Sequence, residues 1–212
     1  MTAGFGREKD QKMSDYKPAA ADVKTLREQT GAGMMEVRDA LAEAKGDIEA
    51  AKKALREKGL AKAAKRGGRA TSEGKIAAYI HGGGVKGVLV EVGCETDFVA
   101  NTDKFQEFVK DICLQIVSMD GTRWVSEADV PEEAKEAELE IYRTQAADKP
   151  ADVQQKIAEG KLRKWFEEVV LLNQPYFRDE DQNVEQVRAA LSSEMGENIE
   201  IKRFASYTLG QE

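Results

Sequence analysis

Ile76-Ala77-Ala78-Tyr79-Ile80-His81-Gly82-Gly83-Gly84-Val85-Lys86-Gly87-Val88-Leu89-Val90-Glu91-Val92 is the stretch that decides the fold. Ile76, Ala78 and Ile80 alternate with Ala77, Tyr79 and His81, the period-two pattern of a strand with two unlike faces. Gly82-Gly83-Gly84 supplies a turn, and Val88 to Val92 runs back as a second strand. Two such runs joined by a short glycine loop read as a β-hairpin. A hairpin alone is marginal in water, so it needs further cover. Ile199-Glu200-Ile201-Lys202-Arg203-Phe204 has the period of a third strand. Phe105, Phe108, Val109, Ile112 and Ile116 recur on one helix face, behind a cap at Thr102 or Asp103. The expected core is α+β: a three-stranded antiparallel sheet with helices packed on one face.

Between the hairpin and that helix lies Cys94-Glu95-Thr96-Asp97-Phe98-Val99-Ala100-Asn101, expected as a strand-to-helix loop. Loops held by a rigid scaffold are where binding residues are commonly placed. Phe98 precedes Phe105 by seven, so spacing alone also allows it to pack on the following helix. Farther on, Pro131 opens a long charged helix to about Ala146, and Lys149-Pro150 breaks it. Leu162, Trp165, Phe166, Val169 and Leu172 mark another amphipathic helix, stopped by Pro175. Val184, Val187 and Leu191 mark the last helix, and Gly196-Glu197-Asn198 turns the chain into the third strand.

Toward the N-terminus, three short helices are expected on Val23 and Leu26, on Met34, Val37 and Leu41, and on Ile48, Ala51 and Leu55. Asp47 is a good N-cap for the third, and Gly59 is placed to end it. Leu60 to Arg66 continues as a basic helical strap, and Gly67-Gly68 marks a hinge. Residues 1–17 are polar and aperiodic, and read as a disordered tail. Met13 is the expected natural start, because ordered sequence begins only after Pro18. The expected organisation is therefore a tail over 1–17, a three-helix domain with its strap over 18–66, and an α+β core domain over 67–212 that would carry any dimer contact.

Charge divides the chain in the same place. Residues 21–70 hold 12 Lys and Arg against 8 Asp and Glu, whereas residues 71–212 hold 16 against 28. The acidic larger part argues against nucleic acid as the main partner, because phosphate binding needs concentrated positive charge. Lys62, Lys65, Arg66 and Arg69 could touch phosphate, which keeps an RNA-binding module as the alternative. No apolar run is long enough to cross a bilayer, and the first ten residues lack a signal-peptide core, so a cytoplasmic chain without membrane contact is expected.

Catalytic chemistry finds little footing. His81 is the single histidine and reads as a partly buried strand residue. Cys94 and Cys113 lie among apolar neighbours and read as buried reduced thiols, and with one histidine they do not make a zinc site. No P-loop pattern occurs, and the glycine run opens no helix that could receive a phosphate. The expectation is a binding protein rather than an enzyme, without metal or cofactor.

Gly31-Ala32-Gly33-Met34-Met35-Glu36-Val37 resembles the first signature of the bacterial elongation factor Ts family, and Cys94-Glu95-Thr96-Asp97-Phe98-Val99-Ala100 resembles the second. Lys62-Ala63-Ala64-Lys65, Ala158-Glu159-Gly160-Lys161-Leu162 and Gly196-Glu197-Asn198-Ile199 are similar to further family segments in the same order. The resemblance covers about residues 20 to 210 and matches the short forms. It implies GDP release from elongation factor Tu, with that partner bound in its GDP-bound and nucleotide-free states. It also implies that the three-helix bundle is like a ubiquitin-associated domain. Thr96, Asp97, Phe98 and Val99 are the implied partner-binding residues, with Asp97 and Phe98 dislodging the partner's magnesium; Arg38, Met34, Met35 and Gln115 are the weaker set. Gln115 stands where several relatives have a histidine, and Ala205 where a short form has a cysteine. Short forms tend to be homodimers, which the resemblance extends to this chain.

Overall fold

The computed structural model describes residues 16–211. The expected tail and Met13 therefore lie outside the described residues, apart from Tyr16 and Lys17. Helices α1 (Ala20–Thr30), α2 (Met34–Glu43) and α3 (Ile48–Arg66) form the N-terminal bundle. Its core is Leu26, Val37, Ala40, Leu41, Ala51 and Leu55. Asp47 caps α3 as expected, its Oδ1 accepting from the Ala50 amide at 3.0 Å. Gly59 does not end the helix. The surrounding Ala, Leu, Lys and Arg are strong helix formers, and their summed preference carries α3 through one glycine. The basic strap is thus the second half of α3. It packs on helix α8 (Val184–Met195) and buries Ala63 there.

Strands β1 (Glu73–His81) and β2 (Lys86–Cys94) make the expected hairpin. Gly82, Gly83 and Gly84 all have positive φ, of 61°, 69° and 102°, which side chains with a Cβ rarely adopt. Strand β5 (Ile199–Thr208) pairs antiparallel with β2, so the sheet order is β1-β2-β5. It departs from a simple period of two. The register shifts between Glu91 and Val92, leaving Lys202 as the additional residue of a bulge. Ile199, Ile201 and Phe204 can therefore all join the core, which strict alternation forbids. His81 is exposed at the end of β1, not partly buried; it lies beside Tyr79, with 3.3 Å between the hydroxyl and Nδ1.

Helix α4 (Asp97–Ala100) is a single turn, and α5 (Asp103–Ser118) lies across the inner face of β1 and β2. Phe105, Ile112 and Ile116 from α5 meet Val88, Val90 and Val92 from β2 in one continuous core. A helical hairpin of α6 (Glu132–Gln145) and α7 (Ala151–Val169) has its own small cluster around Val130, Phe166 and Val169. The short hairpin β3 (Pro175–Tyr176) and β4 (Asp179–Asn183) precedes α8 and was not expected. It is tied down by a buried carboxylate: Asp111 accepts from Tyr176 Oη at 2.6 Å and from Arg178 Nε at 2.7 Å. Burial, followed by the bond to Asp111, pushes the Tyr176 hydroxyl well above its ordinary pKa. Among the described residues no helix is long and apolar enough to cross a membrane.

Candidate functional site

Strand β2 ends at Cys94, where the chain leaves the core and must turn to enter α5. Thr96, in extended conformation, caps α4; its Oγ1 accepts from the Val99 amide at 3.4 Å. The expected loop is thus one helical turn between two caps, the second being Thr102 Oγ1, which accepts from the Phe105 amide at 3.3 Å. A turn of this kind has two sides. Val99 and Ala100 point into the core, while Thr96, Asp97 and Phe98 point out.

Phe98 is 80% exposed, so it does not pack on the helix that follows. Helix α5 begins at Asp103 and changes the chain's direction, so the seven-residue spacing to Phe105 does not continue one helix face. Val99 is 4% exposed. It cannot offer its side chain to a partner, and anchors the turn instead. Gln115 is also corrected: it is wholly buried. Its Nε2 donates to Gln174 Oε1 at 3.2 Å and to Pro175 O at 3.1 Å, and its Oε1 accepts from Phe177 N at 2.9 Å. Gln115 therefore ties α5 to the β3–β4 hairpin.

The other named residues lie on α2. Met34 and Met35 are 60% and 57% exposed, and Arg38 is one turn beyond Met34 on the same side. Arg38 donates to Asp39 Oδ1 from Nε and Nη2, at 3.3 and 3.1 Å. Helix α2 packs on α1 and α3, so these side chains and the Phe98 turn sit on separate packing units.

Sequence reading missed what supports the turn. Glu197 Oε2 accepts from the amides of Glu95 and Thr96, both at 3.1 Å, and its Oε1 accepts from Thr96 Oγ1 at 2.6 Å. Glu95 Oε1 in return accepts from the Asn198 amide at 2.6 Å and from Arg69 Nη1 at 3.2 Å. The Asn198 amide chiefly holds the Glu95 carboxyl below the ordinary glutamate range, opposed by burial and assisted by Arg69. The Cys94 thiol donates to Thr96 O at 3.1 Å and is pushed up by burial first, then by Glu197. Burial alone pushes Cys113 up to about 11. Among the described residues no group of three or more His, Cys, Asp or Glu is arranged to hold a metal.

The chain as a whole matches a known family. The family model described as "Elongation factor TS" matches residues 16–211. The chain belongs to the elongation factor Ts family. The Elongation factor Ts of Caldanaerobacter subterraneus is 53% identical over 195 residues, which span 91% of this chain and 97% of that protein. That of Coprothermobacter proteolyticus is 52% identical over 91% of this chain and 98% of its own length. That of Synechocystis is 46% identical over 89% of this chain and 88% of its own. Membership carries a role in translation elongation. In this elongation factor Ts chain the second signature is a protruding apolar tip, the Phe98 ring, on a turn rooted by Val99.

Proposed function

We propose that this chain is a guanine nucleotide exchange factor that promotes GDP release from elongation factor Tu by disturbing that partner's magnesium and phosphate site. The observation that carries the reading is Phe98: an aromatic ring left 80% in water, beside an exposed Asp97, on a turn rooted in the core. Burying a Phe ring is worth about 1.5–3 kcal/mol, and the isolated chain leaves most of that unrealised. The gain is available to a partner that opens to receive the ring.

Exchange requires tighter binding to the nucleotide-free GTPase than to its GDP form, and the coupling is reciprocal. An acceleration of about ten-thousand-fold takes about 5.5 kcal/mol off the release barrier. The ring supplies only part of this. In our reading Asp97 perturbs the groups that hold the magnesium's water, and losing the ion strips charge compensation from the GDP phosphates. Met34, Met35 and Arg38 on α2 add grip on the displaced partner. Residues 18–66 would then dock, residues 67–212 would carry the wedge, and the work would be done in the cytoplasm.

The test is release of labelled GDP from elongation factor Tu into excess unlabelled nucleotide, with this chain substoichiometric. Many release events per molecule are expected; a rate equal to the buffer control overturns the reading. RNA binding by the strap has less support. Lys62 is paired with Glu36, Arg66 reaches Ser192 O at 3.5 Å, and Arg69 holds Glu95.

We also read the outer sheet face as a contact between two copies. Ile76, Ile80, Leu89, Tyr207 and Leu209 are all exposed on or beside it, opposite the side covered by α5. Ala205 pairs with Leu89 on the same face.

A further inference from the structure

We infer that Glu197 is a positioning residue for GDP release: its carboxylate fixes the direction in which Asp97 and Phe98 project. The inference rests on the exchange reading and deepens it. Phe98 is mostly in water, so its aim is set by the backbone of its turn rather than by neighbours. A one-turn helix cannot hold that backbone alone, because nucleating a first turn is unfavourable. Its C-terminal half is secured from inside. Val99 and Ala100 are buried, and Thr102 Oγ1 donates to Val99 O at 2.8 Å. Its N-terminal entry, from which Asp97 and Phe98 emerge, is not secured by burial. Its own cap is long, at 3.4 Å.

Glu197 supplies what is missing there. One carboxylate takes both entry amides and the Thr96 hydroxyl, three hydrogen bonds to a charged group from a segment a hundred residues away. Glu197 is itself held. Gly196, at φ 75°, ends α8 and turns the chain, and Ser192 Oγ donates to Glu197 O at 2.6 Å. Glu95 returns the contact through the Asn198 amide. Two turns thus brace each other, and the outcome of that bracing is the placement of Asp97 and Phe98.

The experiment uses the full chain and elongation factor Tu loaded with labelled GDP. Maximal release rate and affinity for the nucleotide-free partner are measured for wild type, Glu197→Ala and Glu197→Gln, each with and without Phe98→Ala. Glu197→Ala is expected to lower the maximal rate about tenfold, with a much smaller change in affinity. In the Phe98→Ala background it should add little, since the residue it aims is gone. Glu197→Gln should recover most of the rate, because its carbonyl oxygen can still accept both amides. A wild-type rate in Glu197→Ala overturns the inference, and so does an equal loss in both backgrounds, which would mark a general structural role. Should Glu197→Ala fail to fold, Glu197→Asp carries the same comparison with the carboxylate drawn back by one methylene. An intermediate rate that is non-additive with Phe98→Ala supports the role, and an unchanged rate removes it. If wild type itself releases no GDP, the exchange reading falls and this role falls with it; if wild type is active and Glu197→Ala equals it, only the positioning role is lost.

Discussion

Phe98 and Val99 are neighbours with opposite fates, one 80% exposed and the other 4%. That contrast makes the turn a mounted tip, and it sets the first prediction. Phe98→Ala should slow GDP release at least tenfold, while affinity for the nucleotide-free partner falls by a smaller factor. Stopped-flow release at the wild-type rate would dispose of the wedge. Asp97→Ala should act in the same direction, and the double mutant should be non-additive. A second prediction concerns carboxyls held below their ordinary range. Glu95 is held chiefly by the Asn198 amide, Glu36 by Lys62 and Asp179 by Gln182. Each binds its proton more readily in the unfolded chain than in the folded one. The stability they contribute is therefore complete above the ordinary glutamate value of 4.5 and is lost as pH falls through the lower folded values. Thermal midpoints should drop below that pH, and Glu95→Gln should melt lower at pH 7 yet lose less on acidification. Parallel profiles for the variant and wild type would remove Glu95 from the account.

At the scale of elements, α3 carries a third prediction. Gly59 sits inside the helix, and a methyl group there would meet nothing within 4 Å. Glycine costs a helix interior about 0.8–1.0 kcal/mol relative to alanine. Gly59→Ala should therefore stabilise the chain by about 0.5–1 kcal/mol, raising the melting temperature by about 1–4 °C. A lower melting temperature in a scanning melt would mean that the open space beside α3 is needed. Gly59 also shows where sequence reading fails: a glycine after an amphipathic run looks like a stop, but summed helix preference over Leu60 to Arg66 outweighs it. The sheet was legible because its alternation and its glycine turn are local signals. The third strand was legible as a strand, while its bulge was not, since Lys202-Arg203 looks the same in sequence whether one residue is extra or not. The β3–β4 hairpin left no pattern at all. Asp179-Glu180-Asp181-Gln182-Asn183 has no apolar alternation, and the segment is held by Asp111 and Gln115 from α5. At the candidate site, Asp97 and Phe98 were legible through the family motif. The bracing by Glu197 was not, because it joins two turns that only the folded sheet brings together.

At the scale of the whole molecule, among the described residues helices pack on one side of the sheet, and its other side is the face proposed as the contact between two copies. Leu89 stands at the centre of that side, flanked across the strands by Ala78 and Ala205, so it projects between small neighbours. Ile76, Ile80 and Tyr207 surround it, all more than half exposed. Charge gathers at one end, where Arg203 Nε donates to Glu91 Oε2 at 2.7 Å and Lys202 Nζ lies 3.9 Å from Glu91 Oε1. Two such faces can pack as aligned sheets about a twofold axis. Burying five large apolar side chains on each copy offers at most about 1.5–3 kcal/mol apiece, and association costs about 4–15 kcal/mol in lost freedom. On the proposed reading the dimer is a reversible one whose population depends on concentration. Sedimentation velocity across a concentration series should show that dependence. Leu89→Asp sets two carboxylates against each other near the axis in an apolar setting, where neither can be paired, so the variant should sediment as a monomer throughout the series. Because Leu89 points away from the core, its melting temperature at low concentration should match wild type. A wild type that stays monomeric at the highest concentration, or a Leu89→Asp variant that still dimerises, would move the contact off this face.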